Sequence, residues 1–181
     1  MDSFYTRTGD DGKTGQLGPG RLPKYHRRME ALGTLDEVSA SLGLGRALCK
    51  WPQAGIVLVN VQRDLYAMMA EVAATPENVK HFRSVDQERV HWLESQIDIV
   101  AVLAPIPNEF ILPGDSLSGA ALSVSRTIVR RAERRLSELF DKGELDNPTL
   151  LQYLNRLSSL CFAMELLENK LAGHPTTLAR S

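Results

Sequence analysis

An all-α fold, a bundle of five helices, is what this 181-residue sequence predicts. Apolar residues recur at helical spacing in five long stretches, and prolines interrupt the chain between most of them. No stretch alternates convincingly with the period of two that marks a half-buried strand. Short polar joints separate the stretches, as in a bundle whose consecutive helices are neighbours.

Each element follows in order. Residues 3–25 carry glycines at 9, 12, 15, 18 and 20 among threonines and charges, which predicts an ordered loop or a flexible arm. The first helix runs from near His26 to about Cys49, with Leu32, Leu35, Leu42 and Leu44 among its apolar positions; Trp51-Pro52 ends it. The second runs from about Ala54 to Ala74 with Val57, Val61, Leu65, Met68 and Val72 at helical spacing, and Thr75-Pro76 stops it. The third spans Asp86 to about Val100. Ala104-Pro105-Ile106-Pro107 then breaks the chain, and Phe110 to Gly114 forms a short extended segment. The fourth helix runs from about Ser116 to Asp141. Asp146 or Asn147 is the N-cap of the fifth, with Pro148 at its first position, and this helix reaches about Leu171. The tail, Gly173 to Ser181, is expected to be loose. The chain reads as one domain over 1–181: a glycine-rich loop at 1–25, a bundle at 26–172 and the tail at 173–181.

Hydrophobic residues make up 43% and charged residues 24%, the balance of a soluble globular protein. A net charge of -1 excludes a global field that would draw in nucleic acid or an anionic membrane, so any anion site must be local. Cys49 and Cys161 form no CxxC pair and no metal-type spacing; two reduced core thiols are expected. Met1 to Tyr5 show no basic n-region with an apolar run behind it, and no apolar run approaches membrane-spanning length. The chain reads as cytoplasmic.

The fourth helix carries an unusual stripe. Arg126, Arg130, Arg131, Arg134 and Arg135 lie within one ten-residue stretch. At roughly 100° per residue, Arg126, Arg130 and Glu133 fall within about 60° of one another, with Ala121, Ile128, Ala132 and Leu139 clustered opposite. The spacing therefore predicts an Arg-Arg-Glu face turned away from the helix's core face. A solvated face laced with ion pairs has the same spacing. The exclusive use of arginine points instead to an anion site or a subunit interface, because the planar fork grips phosphate or carboxylate. Asp36 and Asn155 sit inside apolar patterns, where burial would oblige them to find partners. Together with the stripe they suggest one polar site between helices or between subunits.

The segment Tyr5-Thr6-Arg7-Thr8-Gly9-Asp10-Asp11-Gly12-Lys13-Thr14-Gly15 has the composition of a phosphate-binding loop: glycines open backbone N–H groups to an anion, and hydroxyls and Lys13 add donors. It is not a Walker A motif. The glycine required five positions before Gly12 is Arg7, no apolar strand precedes the loop, and no helix follows directly.

In this order along the chain, the segments resemble the ATP:cobalamin adenosyltransferases of the propanediol-utilisation type. The resemblance rests on Tyr5 to Gly12 with Lys24, Gly33-Thr34-Leu35-Asp36-Glu37, Phe110-Ile111-Leu112-Pro113-Gly114, Arg126-Thr127 with Arg130 to Arg134, and Leu154-Asn155-Arg156-Leu157-Ser158. It implies a helix bundle assembling as a homotrimer, with ATP between subunits and the N-terminal loop over its phosphates. Thr6, Thr8, Gly9 and Lys24 would contact the triphosphate, and Arg126 would pair with Asp36 across the interface. Arg130, Glu133 and Asn155 would hold the nucleotide, with Mg2+ on the phosphates. Phe110 would stand beside the corrin and keep the lower axial ligand off the cobalt. The implied reaction moves the adenosyl group of ATP to cobalt(I) and releases triphosphate. It needs alignment and charge stabilisation rather than a general acid or base, in keeping with the scattered histidines 26, 81, 91 and 174. A reductase or an adenosylcobalamin-dependent enzyme is the implied protein partner, with no role for nucleic acid or membrane. A non-catalytic ATP- or corrinoid-binding trimer, serving as carrier or sensor, is the alternative. Ser123, Ser125, Asp115, Val38-Ser39 and Ser159 depart from the family's usual residues; histidine and alanine are usual at 123 and 125, and a second glycine at 115.

Overall fold

The computed structural model describes residues 4–104 and 106–180. The first residues of the Met1–Tyr5 segment, Pro105 of the chain break and Ser181 of the tail lie outside the described residues. Five helices form the bundle: α1 (Arg27–Leu48), α2 (Ala54–Ala73), α3 (Gln87–Leu103), α4 (Leu117–Asp141) and α5 (Thr149–Leu171). A single 3-10 turn, Val79–His81, follows α2. Among the described residues, no helix is long and apolar enough to cross a membrane.

The helix ends follow the local chemistry. Ser116 caps α4, its hydroxyl accepting from Gly119 N at 3.0 Å, and Asp86 caps α3 by accepting from Arg89 N at 3.1 Å. The fifth helix begins one residue later than the sequence suggests. Pro148 occupies the cap position, while Asn147 Oδ1 accepts from Thr149 N at 3.2 Å. Asp146 is instead ion-paired with Arg83.

In packing order, α1 lies against α2 and α4, and α5 lies against α4 and α3. Leu35, Leu122, Leu136 and Leu154 fill the space between them and are fully buried; each contributes roughly 1.5–3 kcal/mol by leaving water. Where α4 meets α5 the approach is close. A Cβ on Gly119 would lie 2.2 Å from Asn169 Oδ1, so no larger residue fits. The ring closes through a polar cluster: Arg89 of α3 holds Asp64 of α2 at 2.6 Å, and Tyr153 Oη of α5 donates to the same carboxylate at 2.7 Å.

The N-terminal segment is not a bare loop. Lys13–Gln16 (β1) and Gly18–Pro23 (β2) form an antiparallel hairpin with a bulge between Gly15 and Gln16. Both strands are glycine-rich and mostly exposed, so the sequence carries no alternation to announce them. Leu17 anchors the hairpin to the end of α2, donating to Ala73 O at 2.9 Å and accepting from Thr75 N at 3.2 Å. Gly18 is held at φ 145, where a Cβ would meet Thr75 Oγ1 at 2.3 Å.

The described part of the tail is not loose either. Leu112 N donates to Thr177 O at 2.8 Å, and Ala179 N to Phe110 O at 2.7 Å, so the tail pairs with the 110–112 segment. Asp115 fastens it, accepting from Thr177 Oγ1 at 2.6 Å and Thr177 N at 2.9 Å.

Candidate active site

Two groups of candidate residues stand apart within the chain. The first is the loop before β1. Thr6 and Thr8 join their hydroxyls at 2.9 Å. An added Cβ on Gly9 would meet Lys24 Nζ at 3.0 Å; glycine thus lets this ammonium rest on the loop. Gly12 N closes a turn on Gly9 O at 3.1 Å, and Lys24 N donates to Gly12 O at 2.9 Å. Arg21 stiffens the base of the loop with two bonds of 2.8 Å to Asp11. Arg7 adopts φ 60, a left-handed conformation that costs a non-glycine residue energy and marks a constrained turn. Thr6, Thr8, Gly9 and Lys24 are thereby gathered as a cluster of hydroxyl, backbone and ammonium donors.

The second group lies on α4 and α5. The core face of α4 centres on Val129, Ala132 and Leu136, all fully buried, whereas Ile128 is only half-buried. Taking Arg126 as the origin, Val129 and Leu136 lie about 60–80° around the helix. The Arg-Arg-Glu face therefore flanks the core at the α4–α5 seam and does not oppose it. Asn155 Nδ2 donates to Glu133 Oε1 across that seam at 3.2 Å. Asn155 Oδ1 accepts from Arg156 Nη1 at 2.9 Å, and Arg156 Nε binds Glu94 of α3 at 2.8 Å. Asn155 and Asp36 are exposed, not buried as their apolar surroundings suggest. A helix buries only part of its circumference, and both fall on the outer part.

The arginines divide sharply. Arg131 is ion-paired with Glu37, Arg135 lies 3.5 Å from Glu30, and Arg134 Nη1 folds back to Arg130 O at 3.0 Å. Among the described residues, Arg126 and Arg130 have no side-chain hydrogen bond or ion pair, and Arg126 Nε is buried without a partner. Asp36 likewise has no partner among the described residues. The structure does not join Arg126 to Asp36 within the chain.

Arg126 and Arg130 line a cavity of about 550 Å³ between α3, α4, α5 and the 106–113 segment. Phe110 stands at its mouth with 89% of its surface exposed, which rules out a core-packing role. Ile97, Ile111 and Phe162 supply an apolar wall, and Ser123 and Glu165 a polar one. Glu165 is a site residue that the sequence reading missed. A lone acid in the apolar run Phe162-Ala163-Met164-Glu165-Leu166-Leu167 was the available signal. Burial pushes its carboxyl above the usual carboxylate range, while the Ser123 hydroxyl and the Arg126 guanidinium pull the other way. Burial also pushes the free thiols of Cys49 and Cys161 up to about 12, so neither is a ready nucleophile.

Among the described residues, no trio of His, Cys, Asp or Glu is arranged to hold a metal ion. Among the described residues, no hydrogen bond or ion pair connects the Thr6–Lys24 cluster to the α4–α5 seam; the hairpin's tertiary bonds run to the end of α2.

Residues 4–168 match the family model for cobalamin adenosyltransferase. A corrinoid adenosyltransferase of Bacillus subtilis is 37% identical over 174 residues, covering 94% of this chain and 88% of that one. The corrinoid adenosyltransferase PduO of Citrobacter freundii is 39% identical over 168 residues, and this chain spans 50% of its length. Two solved structures are similar, both of variants of a PduO-type adenosyltransferase from Lactobacillus reuteri and both 32% identical. A Phe-to-Ala variant complexed with cobalamin and ATP has a TM-score of 0.91, covering 99% of this chain and 100% of that one. An Arg-to-Lys variant complexed with ATP has a TM-score of 0.87, covering 98% and 100%. With the family model matching nearly the whole chain and the bundle superposing end to end, this chain belongs to the cobalamin adenosyltransferase family.

Proposed function

We propose that this chain transfers the 5′-deoxyadenosyl group of ATP to the cobalt of reduced cobalamin and releases triphosphate. The observation that carries the reading is the division of the arginines: Arg131, Arg134 and Arg135 are engaged within the chain, and Arg126 and Arg130 are left open beside a large cavity. The relatives' activity and their complexes with cobalamin and ATP support it.

Cobalt(I) supplies the electron pair. That pair becomes the bond to the 5′-carbon as the carbon–oxygen bond breaks, and triphosphate departs with the electrons of the broken carbon–oxygen bond. The protein's work is to align cobalt, carbon and leaving oxygen and to stabilise charge on the triphosphate. Thr6, Thr8, Gly9 and Lys24 take the triphosphate; a magnesium ion brought in with ATP would offset part of its charge. Arg130, Glu133 and Asn155 hold the nucleotide, and the Asn155–Glu133 bond sets their spacing. Phe110 faces the corrin across the cavity mouth and occupies the space of the lower axial ligand.

Among the described residues no hydrogen bond or ion pair joins the two clusters, and in this reading a site that uses both takes its loop from a neighbouring copy. This favours a homotrimer with Arg126 paired to Asp36 of the adjacent subunit; neither has a hydrogen bond or ion pair among the described residues. A cytoplasmic setting suits the free thiols, and an enzyme that reduces the corrinoid, or one that uses the product, is the fitting partner.

The test mixes protein, magnesium-ATP and chemically reduced cobalamin and follows the absorbance change as the cobalt–carbon bond forms. Triphosphate is the expected co-product; ADP or pyrophosphate would overturn the mechanism. ATP binding with no cobalt–carbon bond formation would favour a carrier or sensor. Sedimentation as a monomer at micromolar concentration with ATP present would defeat the trimer.

A further inference from the structure

Two residues that line the cavity, Glu165 and Arg126, each carry a buried polar atom without a hydrogen-bond partner. Glu165 is 1% exposed, and its Oε1 has no hydrogen-bond partner. Arg126 lines the same cavity, and its buried Nε also lacks one. One is an acceptor and the other a donor. A buried polar atom without a partner is costly, and each one in a fold calls for an explanation, a bound group among them. Ile97, Ile111 and Phe162 present apolar walls, and Ser123 and Arg126 act on the Glu165 carboxyl without giving its Oε1 a hydrogen bond.

A primary carboxamide answers both atoms: its carbonyl accepts from the Arg126 Nε–H, and its N–H donates to Glu165 Oε1. A carboxylate answers only the arginine and sets a second acid against Glu165. The corrin ring carries acetamide and propionamide arms, so the proposed substrate presents this group. Arg126 keeps its terminal nitrogens for Asp36 of a neighbouring copy while Nε serves the amide.

We propose that Glu165 and Arg126 form an amide clasp that selects corrinoids bearing a neutral carboxamide over those bearing a carboxylate at that arm. The inference rests on the corrinoid reading above, but its test does not depend on turnover. Dissociation constants for cobalamin and for a panel of its monocarboxylic acid derivatives, each with one amide hydrolysed, would be measured on the full chain with ATP by absorbance change. The expected result is that one acid binds about tenfold or more weakly than cobalamin, the worth of a charge-assisted hydrogen bond. In Glu165→Gln, whose amide can donate to a carboxylate, that ratio should fall towards one. An unchanged ratio in Glu165→Gln, or a wild-type chain that binds every acid as well as cobalamin, overturns the clasp. Weakening of all corrinoids alike with a lowered melting temperature assigns Glu165 a structural role and overturns it too. No binding of any corrinoid by the wild type defeats the functional reading itself, a separate outcome.

Discussion

Asn155 of α5 and Glu133 of α4 are joined at 3.2 Å, and the same amide accepts from Arg156, which in turn binds Glu94 of α3. Three helices thus share one exposed polar chain, with its amide oriented by partners on both sides. Asn155→Asp removes the donor and sets two carboxylates against each other. ATP affinity should fall by about tenfold, the scale of one hydrogen bond to a charged group. The melting temperature should move little, because the site is exposed. Calorimetric titration with ATP and a thermal melt check both.

Arg130→Lys keeps the charge and loses the planar fork. If the fork grips two acceptors, turnover should fall by roughly ten- to a hundredfold with the oligomer intact. Arg134→Lys is the control. Among the described residues its guanidinium bonds only to the Arg130 carbonyl within the helix, so the change should be near neutral. Equal behaviour of the two variants in steady-state kinetics would return the stripe to a solvated face.

Phe110→Ala should leave folding stability unchanged, since the ring is almost wholly exposed. ATP affinity should also hold. Turnover with cobalamin should fall by about tenfold or more, the scale of losing one aromatic contact. A parallel loss of ATP affinity in the binding assay would remove Phe110 from the corrin side.

Asp115 governs the tail. Thr177 holds its carboxyl below the ordinary value of 3.8 through a side-chain and a backbone hydrogen bond. A depressed carboxylate stabilises the folded form above its ordinary value, and that contribution is lost as pH falls through the lower folded value. The tail should therefore stay paired at neutral pH and detach only below about 3.8. Asp115→Ala should release it at neutral pH. Amide exchange at Leu112, which donates to Thr177 of the tail, and at Ala179, a tail residue that donates to Phe110, reports both events.

Much of this protein was determined by the sequence alone. Helical periodicity and proline punctuation are local properties of the chain, so five helices could be read to within a few residues at each end. The stripe containing Arg126, Arg130 and Glu133, and the loop gathering Thr6, Thr8 and Gly9, were visible because their members are neighbours along the chain or one helical turn apart. Tertiary structure decided what depends on distant partners. The hairpin is anchored by Leu17 to Ala73 and Thr75 at the end of α2, and the tail by Thr177 to Asp115. Neither contact leaves a periodic trace. Which arginines remain open was settled by Glu30 and Glu37 on another helix, and the weight of Glu165 by the burial of one oxygen against a cavity. A side chain's partners follow from packing in three dimensions, and that packing is what the linear pattern does not contain.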